Sequence, residues 1–172
     1  DRSISELERQ RVESYLAIKW GRALVTGSTY YSASGTKVWD PTRAGGSYNN
    51  NVFGIARDDN GNLNQKQSYD WNAFENGYFY LKFALNEFAE LNRTNENEFA
   101  ADSSYLLTGY NSTTTIAWQA SESFRKDRWR LNREWFVQEK GTIGKVTIGI
   151  PAQNGGYNGR QLPQPQVMPN YG

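Results

Sequence analysis

The sequence predicts a mainly β protein, an antiparallel β-sandwich of about seven strands preceded by one N-terminal α-helix. Short segments in which apolar and polar residues alternate recur along the chain, and runs of Gly, Asn and Asp separate them. A stretch near the N-terminus has apolar residues at helical spacing. We therefore assign residues 1–21 to the helix, which could instead be the tail of a preceding domain, and residues 22–152 to the sandwich. Residues 153–172, rich in Gly, Pro and Gln, are assigned to a linker or tail.

The helix is expected over residues 3–20. Ser3 with Glu6, or Ser5 with Glu8, has the spacing of a capping box, and Gly21 stands where a helix C-terminus often ends. Apolar side chains share one broad arc of the helix, namely Ile4, Leu7, Val12, Tyr15, Leu16 and Ile18. That arc predicts packing on this domain or on a preceding one, and a partner-binding helix is the alternative.

The first clear strand is expected at residues 51–57, followed by a tight turn at residues 58–61, where Asp, Asn and Gly favour turn geometry. Residues 77–85 alternate strictly and predict a strand with one apolar face. Residues 86–102 predict a long acidic loop.

The remaining strands are expected in the C-terminal half. Residues 105–108 and 113–119 predict a hairpin, and residues 129–138 predict one long strand. Residues 145–150 predict the last strand, with Val146, Ile148 and Ile150 facing the core.

Composition excludes several classes of function. The chain has 172 residues with no His and no Cys, so thiol nucleophiles, Cys-ligated zinc and Ser-His-Asp catalysis are absent. We expect that the protein is not an enzyme. Lys and Arg number 19 against 18 Asp and Glu, which argues against nucleic acid as a partner. No apolar run is long enough to predict direct membrane insertion.

Several motifs together resemble one family. Residues 5–21 resemble the helix that closes a concanavalin-like (LamG-type) jelly-roll domain in large cell-surface proteins of Bacteroidetes. The β-sandwich module of unknown function that follows it there has a pattern similar to three pieces of this chain. These are Val38-Trp39-Asp40, residues 48–59 with Leu63-Asn64-Gln65-Lys66-Gln67-Ser68, and residues 131–141 followed by Val146-Thr147-Ile148.

The resemblance covers residues 5–151 and departs from the pattern between Tyr69 and Asn111. It implies export, commonly through type IX secretion, and an extracellular or cell-surface location in adhesin-like proteins. Neighbouring domains of the same parent chain are the implied partners, with surface glycans or other surface proteins as further ones. The family carries no established catalytic residues, so the resemblance transfers none.

Aromatic side chains are the first candidates for ligand binding, because flat rings stack on sugars at low entropic cost. The candidates expected to be exposed are Trp71, Tyr78, Tyr80, Tyr110 and Trp118. The favoured alternative is that these side chains pack the sheet against the preceding jelly-roll domain or against the helix.

A cluster of oxygen-bearing side chains is the second candidate. Asp58, Asp59, Asn60 and Asn62 could bind calcium, although their spacing is not that of an EF-hand. The alternative is a turn whose side chains cap backbone amides. Asp102 and Glu98 are weaker candidates, and no other cofactor is expected.

Two further groups carry little weight. Arg125, Lys126, Arg128, Arg130 and Arg133 surround Trp129, but acidic neighbours dilute the charge, and pairing with carboxylates of the same sheet is the favoured interpretation. Glu134 with Asp127 or Glu139 has the chemistry of a glycosidase pair, but nothing in the sequence brings them together.

The sequence therefore predicts a non-catalytic structural or adhesion module of a multidomain bacterial surface protein. A carbohydrate-binding module, with or without calcium, is one alternative. A subunit of a cell-surface filament is the other, and the oligomeric state is left open.

Overall fold

A computed structural model describes residues 3–75, 80–111, 118–120, 129–131 and 133–150. The α-helices are α1 (Glu6–Trp20) and α2 (Trp71–Glu75). The strands are β1 (Tyr30–Tyr31), β2 (Lys37–Trp39), β3 (Asn50–Asp58), β4 (Leu63–Gln65), β5 (Gln67–Tyr69), β6 (Lys82–Leu85), β7 (Ser104–Tyr110), β8 (Trp118–Ala120), β9 (Trp129–Leu131), β10 (Trp135–Lys140) and β11 (Val146–Gly149). Single 3-10 turns lie at Arg43–Gly46, Asp59–Gly61 and Asn92–Thr94.

Two antiparallel sheets face each other. One has four strands in the order β10-β7-β3-β4, and the other has three in the order β11-β6-β5. Phe53 of the first sheet stacks on Phe83 of the second, with ring centroids 5.5 Å apart. The predicted mainly β sandwich with an N-terminal helix is confirmed, and these two sheets hold its seven strands. Two short ribbons, β1-β2 and β8-β9, are additional.

The four-stranded sheet is buried on both faces because β3, its longest strand, is apolar on both sides. Phe53 and Ile55 point between the two sheets, where Leu81, Phe83, Leu85, Phe99 and Ile143 complete one core. Val52 and Ala56 point the other way, toward a second core that includes Ala17, Ile18, Tyr30 and Trp39. The N-terminal helix and the β1-β2 ribbon therefore form a third layer.

The predicted helix is confirmed with its predicted C-terminal end, but it begins at Glu6 rather than at residue 3, so the second of the two predicted capping boxes is the one formed. Ser5 is the N-cap and forms the capping box with Glu8, and Gly21 ends the helix in the left-handed region at φ 61°. A salt bridge links Arg9 and Glu13 on the surface of the helix.

The face that α1 buries is not the predicted arc. Ser14, Ala17 and Ile18 are the buried residues, whereas Ile4, Leu7 and Val12 are 63%, 43% and 57% exposed. The physical reason is that small side chains let the helix approach closely. The Ser14 hydroxyl accepts a hydrogen bond from the Tyr31 N–H at 3.0 Å and donates to the Gln10 carbonyl at 2.6 Å.

Three strand predictions in the C-terminal half are wrong in detail. β7 pairs with β3 and β10 rather than with β8, which contains residues 118 and 119 of the predicted hairpin and pairs with β9. Residues 113–117 of that prediction lie outside the described residues. The predicted long strand at residues 129–138 is two strands in different sheets. Ile148 and Ile150 are exposed rather than inward because β11 lies at the edge of its sheet, where only Val146 packs against the core.

Within the part of the chain that the structure describes, neither helix has the length and apolar character needed to cross a membrane.

Candidate functional site: a groove beside the N-terminal helix

A large groove of about 1450 Å³ runs along the C-terminal half of α1. We call it the helix groove. Its floor comes from β5 and the residues that flank it, and its far wall comes from the loop after β6. The aromatic and apolar lining residues are Leu16, Trp20, Tyr69, Trp71, Phe88, Leu91 and Ile150, and the charged ones are Glu13, Lys19, Arg22, Lys82 and Glu90.

The floor of the helix groove forms where the chain passes from one sheet to the other. Lys66 is the single residue between β4 and β5, which belong to different sheets. The Asn92 side-chain oxygen holds this corner by accepting hydrogen bonds from the N–H groups of Lys66, at 2.6 Å, and Gln67, at 3.1 Å. The Gln67 side chain exchanges two hydrogen bonds of 2.9 Å with the backbone of Ala89. These contacts fix the loop that forms the far wall.

The helix wall is positioned by Gly21. A side-chain carbon at this position would lie 2.5 Å from the Tyr69 carbonyl oxygen, so only glycine allows the end of α1 to approach β5 this closely. The Trp71 N–H donates to the Gly21 carbonyl at 3.2 Å, and the Ala23 N–H donates to the Asn72 side chain at 3.2 Å. Hydrogen bonds therefore link the end of α1 to the start of α2.

Aromatic rings and cations meet at this junction. The Tyr69 ring lies 5.5 Å from the Trp71 ring and 6.0 Å from the Tyr80 ring, centroid to centroid. The Arg22 guanidinium lies 5.3 Å from the Trp71 ring, and the Lys82 ammonium lies 5.7 Å from the Tyr80 ring. Both distances are in the range of a cation–π attraction.

The structure brings two of the five predicted aromatic candidates to the same place, beside Tyr69. Trp71 and Tyr80 both contact Tyr69, and Trp71 lines the groove. Tyr110 is not exposed as predicted: it is only 9% accessible and lies under the Arg133 guanidinium, 3.9 Å from its ring centroid. Tyr78 and the side chain of Trp118 lie outside the described residues.

Three aromatic residues of the helix groove are not among the predicted candidates, namely Trp20, Tyr69 and Phe88. Trp20 is 65% exposed and Phe88 is 41% exposed, which is unusual for side chains of this size. The only signal available for Trp20 was its place at the end of the helix, just before Gly21.

The residue that precedes Trp71 in the chain, Asp70, is a buried carboxylate. Asp70 is 1% exposed, and one of its oxygens accepts a hydrogen bond from the Ala73 N–H at 2.9 Å, which caps α2. Its other oxygen accepts a long hydrogen bond of 3.4 Å from the Asn51 side chain. Burial raises the pKa of Asp70 to about 6, although the backbone hydrogen bonds, Asn51 and the positive charge of Arg133 oppose that rise.

Asp58, the first predicted calcium ligand, is buried and its oxygens are already engaged. One oxygen accepts from the Ala33 N–H at 2.7 Å and from the Tyr105 hydroxyl, and the other accepts from the Gly61 N–H at 3.3 Å. Burial is the largest cause that raises the pKa of the Tyr105 hydroxyl, and the Asp58 carboxylate contributes. At Asp58 the structure therefore matches the alternative interpretation, a side chain that caps a turn.

The other predicted metal ligands are at the surface. Asp59 forms a two-point salt bridge with Arg57 at 2.9 Å, and its N–H donates to the Asp102 carboxylate at 2.7 Å. The hydrogen bond from the Asp59 N–H is the largest cause that lowers the pKa of Asp102. Glu98 forms a salt bridge with Lys66. No three acidic side chains converge within the described ranges, and calcium binding through Asn60 and Asn62 stays a prediction.

Arg133 and Glu134 are neighbours in the chain, but the first is buried and the second is exposed. Arg133 is buried and stacks on Tyr110 rather than lying on a basic surface. Glu134 is exposed and accepts a hydrogen bond of 3.1 Å from the Tyr48 hydroxyl, whose pKa it raises. Residues 125–128 lie outside the described residues, so neither the basic cluster nor the pair of Glu134 with Asp127 is complete here.

The fold and the groove define a class: an antiparallel β-sandwich whose N-terminal helix is part of the domain and borders a large aromatic groove. The chain belongs to a family described as a domain of unknown function (DUF8202), whose model matches residues 8–167. The match includes most of α1 and extends beyond β11. We found no match among curated proteins or among solved structures.

Proposed function

We propose that this chain is a non-catalytic structural or adhesion module of a multidomain protein on a bacterial cell surface. The resemblance to modules that follow a LamG-type domain in Bacteroidetes surface proteins supports the location and the type IX export route. Neighbouring domains of the same parent chain are the proposed partners. The lack of His and Cys supports a role without catalysis.

The observation that carries this proposal is that α1 is anchored to the sandwich and still leaves apolar side chains exposed. One side is fixed to the sandwich through Ser14, Ala17 and Ile18, which are buried. Leu7 and Val12 of the helix are exposed, and so is Ile4, just before its N-terminus. A helix that is anchored to its own domain and leaves apolar side chains exposed toward its N-terminus is suited to hold a neighbouring domain in a fixed orientation.

The test compares this module alone with a longer parent fragment that includes the preceding domain. Docking at Ile4, Leu7 and Val12 would stabilise the module, so its unfolding midpoint in urea should be higher in the longer fragment. Leu7→Glu should remove that difference. Val25→Glu is the matched control, because Val25 is 84% exposed and lies outside the helix. Equal midpoints in the two fragments would refute the proposal.

A second candidate function is carbohydrate binding, and the aromatic lining of the helix groove favours it. Trp20, Tyr69, Trp71 and Phe88 line one open groove, and sugar rings stack on such faces. The first measurement is binding of labelled protein to a broad glycan array, once with calcium and once with a chelator. Loss of binding in chelator would assign a metal to the site, and a blank array from folded protein would refute this candidate.

A further inference from the structure

We propose that the helix groove binds an acidic oligosaccharide, one whose sugar rings carry carboxylate groups. This inference rests on the second candidate function, carbohydrate binding, and adds the class of ligand and the residues that recognise it. Trp20 and Phe88 supply exposed aromatic surfaces for the sugar rings, and Lys82 supplies the cation that binds a carboxylate.

The size of the groove favours an oligosaccharide over a single sugar. Its volume of about 1450 Å³ exceeds the usual range for small-molecule pockets, roughly 300–1000 Å³. The groove is also open to solvent rather than enclosed, as a site for a chain of sugars requires. Trp20 and Phe88 offer exposed rings, which suit the apolar faces of successive sugars.

The charges that line the groove favour an anionic ligand. Three cations, Lys19, Arg22 and Lys82, face two carboxylates, Glu13 and Glu90. Arg9 already forms a salt bridge with Glu13, which reduces the negative charge available on that wall. The local balance is therefore positive although the whole chain is nearly neutral, with a formal charge of +1.

Lys82 is the cation best placed for recognition. Its ammonium lies near the Tyr80 ring, and it forms no salt bridge with any residue in the described part of the chain. By contrast, the Lys19 ammonium donates a hydrogen bond of 2.8 Å to the Tyr15 hydroxyl. A ligand carboxylate would give Lys82 a charge-assisted hydrogen bond.

The experiment measures binding of two matched probes by isothermal titration calorimetry at low and moderate ionic strength. One probe is a hexasaccharide of galacturonic acid, and the other is a neutral hexasaccharide of glucose. We expect the acidic probe to bind more tightly and to weaken as salt increases. Lys82→Gln should weaken the acidic probe by roughly tenfold, the effect of one charge-assisted hydrogen bond. Trp20→Ala should weaken both probes.

Two controls make the result specific. Lys145→Gln removes the same charge outside the groove and should leave binding unchanged. Urea unfolding of each variant confirms that it is folded, which we expect because Trp20 is mostly exposed and Lys82 is only half-buried. Binding of the neutral probe alone, or an unchanged affinity in Lys82→Gln, would overturn the acidic ligand while leaving carbohydrate binding intact. Binding of neither probe would overturn both.

Discussion

Replacement of Asp70 by Asn should change how stability depends on pH. The pKa of Asp70 is about 6 in the folded protein, against an ordinary value of 3.8 that applies to the unfolded chain. The folded state therefore binds more protons than the unfolded state between these two values. As a result, the free energy of unfolding falls as the pH rises through this window. The loss of stability caused by ionising buried Asp70 is complete above pH 6.

The magnitude follows from the size of the shift. A rise of about two pKa units corresponds to about 3 kcal/mol between the protonated and ionised forms. That is a large share of the typical total stability of roughly 5–15 kcal/mol. The Asn side chain keeps an oxygen for the Ala73 N–H but cannot ionise. We expect the stability of the variant relative to the wild type to increase by about 2.5 kcal/mol from pH 4 to pH 8, since the remainder develops below pH 4.

The assay is urea unfolding of both proteins at several pH values between 4 and 8. This window is favourable because the chain has no His, so no imidazole titrates inside it. The low pKa values of Glu6, Asp40 and Asp102 affect both proteins equally and cancel in the difference. A difference that is constant across this range, or one that favours the wild type at pH 8, would refute the reasoning.

Three other substitutions test the fold. Ser5→Ala removes the N-cap of α1 and should cost about 1 kcal/mol in urea unfolding. Gly54→Ala places a carbon 2.0 Å from the Leu106 carbonyl oxygen, so we expect a loss of about 3 kcal/mol or failure to fold, seen by circular dichroism. Tyr105→Phe removes the hydroxyl that donates to buried Asp58 and should cost about 1–3 kcal/mol.

Each of these substitutions has a clear contradictory outcome. Ser3→Ala is the matched control for the helix cap, and an equal loss from both would contradict the assignment of Ser5. A Gly54→Ala protein of wild-type stability would contradict the close approach of β3 and β7. For Tyr105→Phe, an unchanged midpoint would show that Asp58 does not depend on this hydroxyl.

Local features were predictable because neighbouring residues in the chain determine them. The capping box at Ser5 and Glu8, the helix end at Gly21 and the turn after Asp58 all depend on contacts within a few residues. The strand through Val52 and Ala56 was predictable for the same reason, since apolar residues with turn residues on both sides indicate a buried strand.

Features that depend on distant residues were not predictable. Tyr110 resembles an exposed turn aromatic in the sequence, but Arg133 covers it in the fold. The pairing of β7 with β3 and β10 replaced the predicted hairpin, because strands close in sequence need not be neighbours in a sheet. The buried face of α1 was also missed, since Ser14 and Ala17 are too small to mark a core position by hydrophobicity alone.

The sequence by itself determined the fold class, the helix with its C-terminal end and the turns, because these follow from local backbone preferences and from alternation of apolar residues. Only the tertiary structure decided which distant residues contact one another. It fixed α1 to its own sandwich, engaged Asp58 with three donors, and brought Trp20, Tyr69, Trp71 and Phe88 to one groove. The physical reason is that packing joins residues far apart in the chain, and no local pattern specifies those contacts.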